Sequence, residues 1–260
     1  MDEYGSSAGI ARNASESAYP ELWRGLVGLW CPSAGLTGNR LINYSASRNT
    51  FNISTLAWST GRTGASVNLN GYIDYASGSD NGFPTGSGAR SFSVWFTCAA
   101  LGSGATRFLF AYGTATGTNH WTVGVQESGG AKALYASTYS AGVRGNTLTN
   151  IDDGKWHHAV WVYNGTTEVF YFDGLPAGSG AHTVATTLSG TTYIGRGPSG
   201  FYYGGKLDDF RLYNRVLTAG EVRRMYFGAS PLVPLSRPYF NSPTSPPPAA
   251  NTTNFFRFFR

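Results

Sequence analysis

The sequence predicts an all-β protein, a two-sheet antiparallel jelly-roll sandwich with one short helix near its C-terminal side. About a dozen short runs alternate apolar or aromatic residues with polar ones, which is the side-chain period of a strand. Turn-forming residues separate these runs about every 8–12 residues, as in sandwich folds. The chain also contains 35 glycines among its 260 residues, which favours many short strands joined by turns.

The strands that this alternation predicts extend over the whole middle of the chain. The clearest is an antiparallel hairpin within residues 152–174, where two aromatic and β-branched runs flank the turn Asn164-Gly165. A hairpin is not stable alone in water, so other strands must pair with it. In chain order, the predicted strands cover residues 25–31, 65–76, 91–98, 107–113, 120–126, 132–138, 156–163, 168–172, 182–188, 191–195 and 205–214.

One helix is predicted after the last strand. Thr218 and Glu221 have the spacing of a capping box, in which each side chain accepts a hydrogen bond from the other residue's backbone amide. The buried stripe of this helix is then expected at Val222, Met225 and Tyr226.

Two arms of unusual composition flank a predicted domain of residues 22–228. Residues 1–21 are acidic and irregular, whereas residues 229–260 contain seven of the 12 prolines, which prevent sheet or helix and favour an extended arm. Exposed aromatic side chains at the end of this arm would aggregate unless a protein partner buried them. The alternative is a solvated tail. The expected contact residues are Phe255, Phe256, Arg257, Phe258, Phe259 and Arg260.

Charge and cysteine content indicate the class of partner. The net charge of +5 is concentrated from Arg215 onward, at one end of the chain, whereas a nucleic-acid binder usually carries a basic stripe on its folded domain. No apolar run approaches the ~20 residues of a membrane span.

The start of the sequence lacks the apolar centre of a secretory signal, and Met1 favours a protein that is not exported by that route. We therefore expect Cys31 and Cys98 to be buried free thiols, with a disulfide between them as the alternative.

Several motifs occur together in an order that resembles one known family. They are LNGYIDYA (69–76), FSVWF (92–96), DGKWHHAVWVYNGTTEVFYFDGLP (153–176), YIGR (193–196) and GGKLDDFRLYNRVLTAGEVRRMY (204–226). Over residues 22–228 the chain resembles the laminin-G-like branch of the concanavalin A-like lectin/glucanase superfamily. This resemblance implies two curved antiparallel sheets and a role in binding or adhesion through loops at the rim, although a fold alone does not fix a function.

Catalysis has little support in the sequence. The glycosidases of this superfamily need two carboxylates about 5–10 Å apart, which alternate acidic residues on one strand would supply. None of the six glutamates has an acidic partner two residues away. The pairs Asp152-Asp153 and Asp208-Asp209 are adjacent, so strand geometry turns the two members of each pair to opposite faces. No enzymatic activity is predicted.

The two neighbouring histidines, His157 and His158, have a structural interpretation. On a strand they face opposite ways and cannot bind one metal together. We expect one ring in the core with a hydrogen bond and the other at the surface.

Calcium is the one cofactor that the resemblance suggests. Many relatives hold Ca²⁺ at the rim with Asp, Asn and carbonyl oxygens, which suit a hard cation. The corresponding residues here are Asn43, Asp208 and Asp209. However, Asn43 stands where the family has Asp, the glycines of the loop are missing, and Arg48 brings a positive charge. The alternative for the aspartates is a turn cap or an ion pair with Arg211.

Recognition of a sugar would need exposed aromatic side chains that stack on pyranose faces, with amides and hydroxyls beside them. Two stretches meet this requirement: a loop with three consecutive aromatic residues, and the start of one predicted strand. The candidates are Phe201, Tyr202 and Tyr203 in the loop, and Asn119, His120 and Trp121 at the start of the strand. Edge packing or a protein contact explains the same residues equally well.

Taken together, these observations favour a non-catalytic structural or binding module. The leading hypothesis is a decoration or fibre protein at the surface of a virus or phage particle, because the arms suit docking better than free solution. In that case capsid or fibre subunits would be the partners, in a homo-oligomeric assembly, with a surface glycan as a further ligand. The alternative is an extracellular carbohydrate-binding or adhesion module, and a glycoside hydrolase is the third hypothesis.

Overall fold

The structure, a computed structural model, describes residues 19–34, 38–45, 47, 49–55 and 57–228. The predicted C-terminal arm and residues 1–18 of the N-terminal arm lie outside this described part. The chain forms two antiparallel sheets of eight strands each, which confirms the all-β sandwich. In chain order, the elements are α1 (Pro20–Trp23), β1 (Leu26–Trp30), a 3-10 turn (Pro32–Ala34), β2 (Arg40–Leu41), β3 (Phe51–Ile53), β4 (Ala57–Thr60), β5 (Ala65–Asn70), β6 (Ala76–Gly78), β7 (Arg90–Cys98), β8 (Thr106–Gly113), β9 (His120–Ser128), β10 (Ala131–Ser137), β11 (Gly142–Arg144), β12 (Trp156–Tyr163), β13 (Thr167–Phe172), β14 (Leu175–Ala181), β15 (Thr192–Ile194), β16 (Gly204–Tyr213) and α2 (Ala219–Tyr226).

The two sheets differ in strand order but share the antiparallel pairing. The first sheet has the order β14-β13-β12-β7-β16-β5-β4, and β1 joins it by pairing with β16. The second sheet has the order β11-β10-β9-β8-β15-β6-β3-β2. The predicted hairpin is the pair β12–β13. Its turn is closed by Asn164, whose side-chain oxygen accepts hydrogen bonds from the amides of Thr166 at 3.0 Å and Thr167 at 2.9 Å.

The main core lies between the inner faces of the two sheets. Alternate residues of each strand enter it, and Phe92 of the first sheet stacks on Phe110 of the second with ring centroids 4.5 Å apart. A buried hydrogen bond also crosses the core, from Trp121 Nε1 to Glu168 Oε2 at 3.1 Å. Because aromatic side chains remove large apolar areas from water, contacts of this kind hold the sheets together.

Both helices cover the outer face of the first sheet. The predicted capping box of α2 is present: Thr218 Oγ1 accepts a hydrogen bond from the Glu221 amide, and the Glu221 carboxylate accepts one from the Thr218 amide. No helix in the described residues is long and apolar enough to cross a bilayer. The apolar cluster under the helices includes Leu22 of α1, Val160 and Val162 of β12, and Val222 and Met225 of α2.

Several strands differ from the expectation. The strands β2, β3, β4, β11 and β14 were not predicted, and four of them (β2, β4, β11 and β14) lie at sheet edges, where sequence alternation is weak. The run 65–76 divides at Gly71, whose φ of 82° ends β5. Residues 182–188 do alternate buried and exposed side chains, but they form a single bridge, between Thr186 and Gly86, instead of a strand.

The two cysteines are free and buried, as predicted. Burial raises the pKa of Cys98 to about 11. It also raises the pKa of Cys31 far above its ordinary value. Both groups are therefore protonated thiols that behave as small apolar side chains in the core.

Candidate functional site

The outer face of the second sheet holds a cavity of about 250 Å³. The two described helices pack on the first sheet, so within the described part of the chain no helix covers this face. The cavity lies over β8, β9 and β10, near the loop that joins β15 to β16. It is lined by Phe108, His120, Ser137, Thr138, Tyr139, Pro198, Ser199 and Phe201.

Small side chains form the floor around this cavity. Alternate residues of the underlying strands point outward, because the residues between them enter the core. One outward row runs from Ser137 through Thr122 and Ala111 to Tyr193, according to the strand register. The neighbouring row has Gly124 at its middle. The small residues leave open space that larger residues enclose.

Aromatic side chains form the walls. On one side, the loop after β15 folds over the sheet, and Phe201 meets Phe108 edge to face with ring centroids 5.8 Å apart. Gly197 permits this approach, because a Cβ atom there would collide with the Phe108 ring. On the other side, Tyr139 meets the ring of His120 edge to face at 6.3 Å. Phe201 is 50% exposed and Tyr139 is 64% exposed, so both rings offer surface to a ligand.

Two buried polar atoms on this face have no hydrogen-bond partner in the part of the chain that the structure describes. They are His120 Nδ1 and Thr122 Oγ1, on residues that are 3% and 0% exposed. Burial, with a smaller effect of nearby His182, lowers the pKa of His120 to about 4. The ring is therefore neutral at pH 7, with one nitrogen that donates and one that accepts. Since an unpaired buried polar atom costs about 1–3 kcal/mol, these atoms indicate a place for a ligand or for water.

Four of the six residues predicted to bind a sugar lie at or beside the cavity. Phe201 and His120 line it. Tyr202 is half-buried and follows Phe201 in the same loop. Asn119 is half-buried at the start of β9, and its Nδ2 donates a hydrogen bond to Thr116 Oγ1 at 3.3 Å.

Tyr203 and Trp121 are placed differently from the expectation. Both are 0% exposed. The Tyr203 hydroxyl donates to the Thr97 carbonyl at 2.8 Å, and Trp121 Nε1 donates to Glu168 inside the core. The prediction that these two rings stack on a ligand is wrong, because Trp121 faces inward from β9 and Tyr203, just before β16, also packs in the core.

The residues suggested as calcium ligands are engaged in protein contacts. Asn43 Oδ1 accepts hydrogen bonds from the amides of Leu29 and Ser45, both at 2.9 Å. The Asp209 carboxylate forms a buried ion pair with Arg211, the alternative expected from the sequence. Among the described residues, no group of three His, Cys, Asp or Glu side chains is arranged to hold a metal. These residues therefore do not fit a Ca²⁺ site.

Asp208 lines a separate cavity of about 50 Å³ on the outer face of the first sheet. Its carboxylate accepts hydrogen bonds from the amides of Thr63 at 3.4 Å and Asp209 at 2.8 Å. Burial, and then the negative charge of Asp209, raise the pKa of Asp208 to about 7. This environment fits the expected turn cap, and the cavity is too small for a sugar.

Both histidines of β12 are buried, whereas one was expected at the surface. His157 is hydrogen-bonded to Asp173 at 2.8 Å and to Asp153 at 3.0 Å. His158 faces the other way, as predicted, but α2 covers it and Tyr226 lies 6.3 Å from its ring. The prediction of a surface ring is wrong because a distant helix packs on that face.

The sequence analysis missed four of the cavity residues. The available signal was the outward set of positions on three consecutive strands, where polar and aromatic residues alternate with core residues. Strand periodicity identifies that set but does not tell which of the two sheets remains uncovered. The missed residues are Phe108, Ser137, Thr138 and Tyr139.

Comparison with known proteins identifies relatives of the fold. A laminin-G-type family model, described as the Concanavalin A-like lectin/glucanases superfamily, matches residues 69–223. No curated protein sequence matches the chain. Among solved structures, one similar chain is domain 4 of AbnA, a GH43 extracellular arabinanase from Geobacillus stearothermophilus, in complex with arabinotriose. It is 20% identical with a TM-score of 0.62, covering 77% of this chain and 98% of that domain.

Two toxin domains are similar as well. The botulinum neurotoxin serotype D ligand binding domain, in complex with N-acetylneuraminic acid, is 13% identical with a TM-score of 0.62, covering 81% of this chain and 52% of that one. The binding domain of Paraclostridial Mosquitocidal Protein 1 is 15% identical with a TM-score of 0.63, covering 79% and 52%. The chain thus spans about half the length of these toxin domains. At such identities the similarity shows the fold alone.

Proposed function

The chain belongs to the concanavalin A-like lectin/glucanase superfamily, and from that premise we propose that it is a non-catalytic carbohydrate-binding module. The proposed site is the cavity on the outer face of the second sheet, with Phe201 as the stacking residue. One observation carries the proposal: exposed ring surface and the unpaired Nδ1 atom of buried His120 occur together in the lining of this cavity. A sugar has an apolar ring face and a rim of hydroxyl groups, so it complements both.

The size of the cavity supports a small carbohydrate unit. Its volume of about 250 Å³ lies below the about 300–1,000 Å³ of sites for drug-sized ligands, so one sugar residue is its natural occupant. The arabinanase domain and the neurotoxin domain were solved with arabinotriose and N-acetylneuraminic acid. Those ligands support the carbohydrate class for this chain without selecting a particular sugar.

The surroundings of the described glutamates support a non-catalytic role. Glu127 accepts hydrogen bonds from the amides of Gly104 and Gly130. Glu168 is buried in the core, Glu221 belongs to the capping box, and Glu21 forms an ion pair with Arg224. Each carboxylate therefore has a structural explanation, and none is offered to a glycosidic bond in a pair.

Replacement of Phe201 tests the site. A glycan array on the full-length chain would identify a ligand, and calorimetry would measure its affinity. Phe201→Ala should weaken binding about 10- to 100-fold, because burial of a Phe ring contributes about 1.5–3 kcal/mol. Phe227→Ala is the matched control, since Phe227 is also exposed, at 75%, but follows α2 on the first sheet. If no glycan binds, or if the two variants bind alike, the proposal fails.

The finer hypothesis of a particle decoration or fibre protein stays a prediction from the sequence. It depends on residues 229–260, which lie outside the described residues. One described feature is compatible with it: α2 ends at Tyr226 on the first sheet, on the face opposite the proposed sugar site. Docking through the following arm would leave the cavity free. A sugar-binding module of this kind would work either at an extracellular location or at a particle surface.

A further inference from the structure

Arg196 lies beside the proposed sugar site within a cage of three tyrosine rings. Its guanidinium carbon is 5.0 Å from the ring centroid of Tyr193, 5.1 Å from that of Tyr75 and 5.5 Å from that of Tyr202. A β-bridge between Arg196 and Tyr202 fixes the cage from within the loop. Cation–π attraction holds the guanidinium in position, but it leaves the charge without a counter-ion.

No acidic side chain in the described part of the chain forms an ion pair with Arg196. In contrast, Arg211 and Arg215 pair with Asp209 and Glu221. The Nε atom of Arg196 is also buried without a hydrogen-bond partner. Because a guanidinium has only donors, an acceptor from outside the described chain would satisfy it.

The tyrosine cage and the cavity belong to one surface. Tyr193 stands in the outward row that also contains the cavity-lining Ser137, three strands away, which corresponds to about 14 Å at the usual strand spacing. The cavity-lining residues Pro198 and Ser199 directly follow Arg196 and Gly197. One oligosaccharide can therefore contact the cavity and the guanidinium together.

We propose that Arg196 makes this site selective for acidic glycans by binding the carboxylate of a sugar acid, either a hexuronate or a sialic acid, an inference that rests on the proposed function. The fork of a guanidinium donates two parallel hydrogen bonds to a carboxylate, which gives geometry as well as charge. The absence of a described counter-ion means that a ligand carboxylate meets no competitor. The neutral ring of His120, which lines the cavity, then binds a sugar hydroxyl rather than the acid.

Pairs of ligands that differ in charge test this selectivity by calorimetry on the full-length chain. The probes are trigalacturonic acid with its methyl ester, and 3′-sialyllactose with lactose, so the two pairs distinguish hexuronates from sialic acids. At least one acid should bind about 10- to 100-fold more tightly than its neutral partner, the range for hydrogen bonds to charged groups. Arg196→Gln should remove that difference by lowering the affinity for the acid. Arg196→Lys keeps the charge without the fork and should retain part of the difference.

A second arginine provides the matched control. Arg62 also lies over an aromatic ring, 3.9 Å from the centroid of Trp95, but on the first sheet. Arg62→Gln should keep the full preference, and thermal melting should show that all variants are folded. Equal affinity of the unmodified chain for acid and neutral partner would overturn the inference, as would a preference that survives in Arg196→Gln. Phe201→Ala should weaken the binding of an acid and of its neutral partner alike, so this variant tests the proposed function separately from the role of Arg196. A chain that binds no glycan would overturn the proposed function and the present inference together.

Discussion

At the residue scale, adjacent side chains of the same type have opposite roles. Asp209 forms a buried ion pair with Arg211, whereas Asp208 contacts only backbone amides. The backbone of Asp209 has a φ of 50°, where the pairing of β16 with β7 is irregular. Such a bulge redirects the side chains of consecutive residues. A pair that looked like metal ligands is therefore one ion pair and one isolated acid.

The isolated acid makes stability depend on pH. The folded-state pKa of Asp208, about 7, lies above the ordinary value of about 3.9. Its stabilising contribution is therefore present below about pH 4 and is lost as the pH rises through 7. Asp208→Asn cannot show this loss. Between about pH 4 and 7, the unfolding free energy of the variant minus that of the unmodified chain should therefore rise by up to about 1.4 kcal/mol per pH unit. Urea unfolding at several pH values measures it.

Asp152 provides the control for this titration. Its burial is outweighed by hydrogen bonds from Lys132 and the Leu101 amide, so its pKa is lower than usual. The stability that Asp152 contributes is present above about pH 4 and is lost only at more acidic pH. Asp152→Asn should therefore show a constant difference between pH 4 and 7. A constant difference for Asp208→Asn as well would contradict the raised pKa.

At the element scale, α2 connects the end of the domain to its beginning. Glu221 of the capping box pairs with Arg215 at 2.8 Å, and Arg215 Nε donates to the carbonyl of Arg24 just after α1 at 2.6 Å. Both helices also share the apolar cluster on the first sheet. The capping residue Glu221 thus positions Arg215, whose side chain links α2 to the end of α1.

Loss of this cap should lower stability without altering the fold. Thr218→Ala removes the acceptor for the Glu221 amide and should reduce the unfolding free energy by about 1 kcal/mol. Thr218→Ser keeps a hydroxyl at the same position and should lose much less. The midpoint of urea unfolding for each chain measures the effect. Equal losses in the two variants would show that the methyl group of Thr218, and not the hydrogen bond, stabilises the helix.

At the scale of the whole molecule, the two outer faces differ in their cover. The helices close the first sheet, and the described chain leaves on the second sheet a cavity with exposed rings. The buried residues of both apolar clusters lie between Leu22 and Met225. The described core and the lining of the proposed sugar site are thus formed by residues that precede Gly228.

A chain that ends at Gly228 should separate folding from assembly. We expect it to be folded and monodisperse, with the glycan affinity of the full-length chain, because core and cavity are retained. If the predicted arm docks to capsid or fibre subunits, the shortened chain should no longer join that assembly. Light scattering and sedimentation with the candidate particle measure this. A shortened chain that assembles like the full-length one would reject the docking hypothesis.

The loop with three consecutive aromatic residues shows how far sequence reasoning reached at the site. The prediction that at least one ring faces solvent is confirmed by Phe201, whereas Tyr203 is in the core. Arg196, which precedes this loop, belongs to the family motif YIGR (193–196), and the sequence gives it no further role. The tyrosine cage around Arg196 joins segments more than 100 residues apart, from Tyr75 to Tyr202, so no local pattern could reveal it.

The sequence by itself determined the all-β class, the central hairpin, the capping box and the family. Each of these depends on local periodicity, turn chemistry or motif order, which act over a few residues. Only the tertiary structure decided which sheet face the helices cover, and hence that His158 is buried while Tyr139 and Phe201 stand at an open cavity. The physical reason is that burial depends on which distant segments pack together, and alternation along a strand defines two faces without telling which one remains exposed.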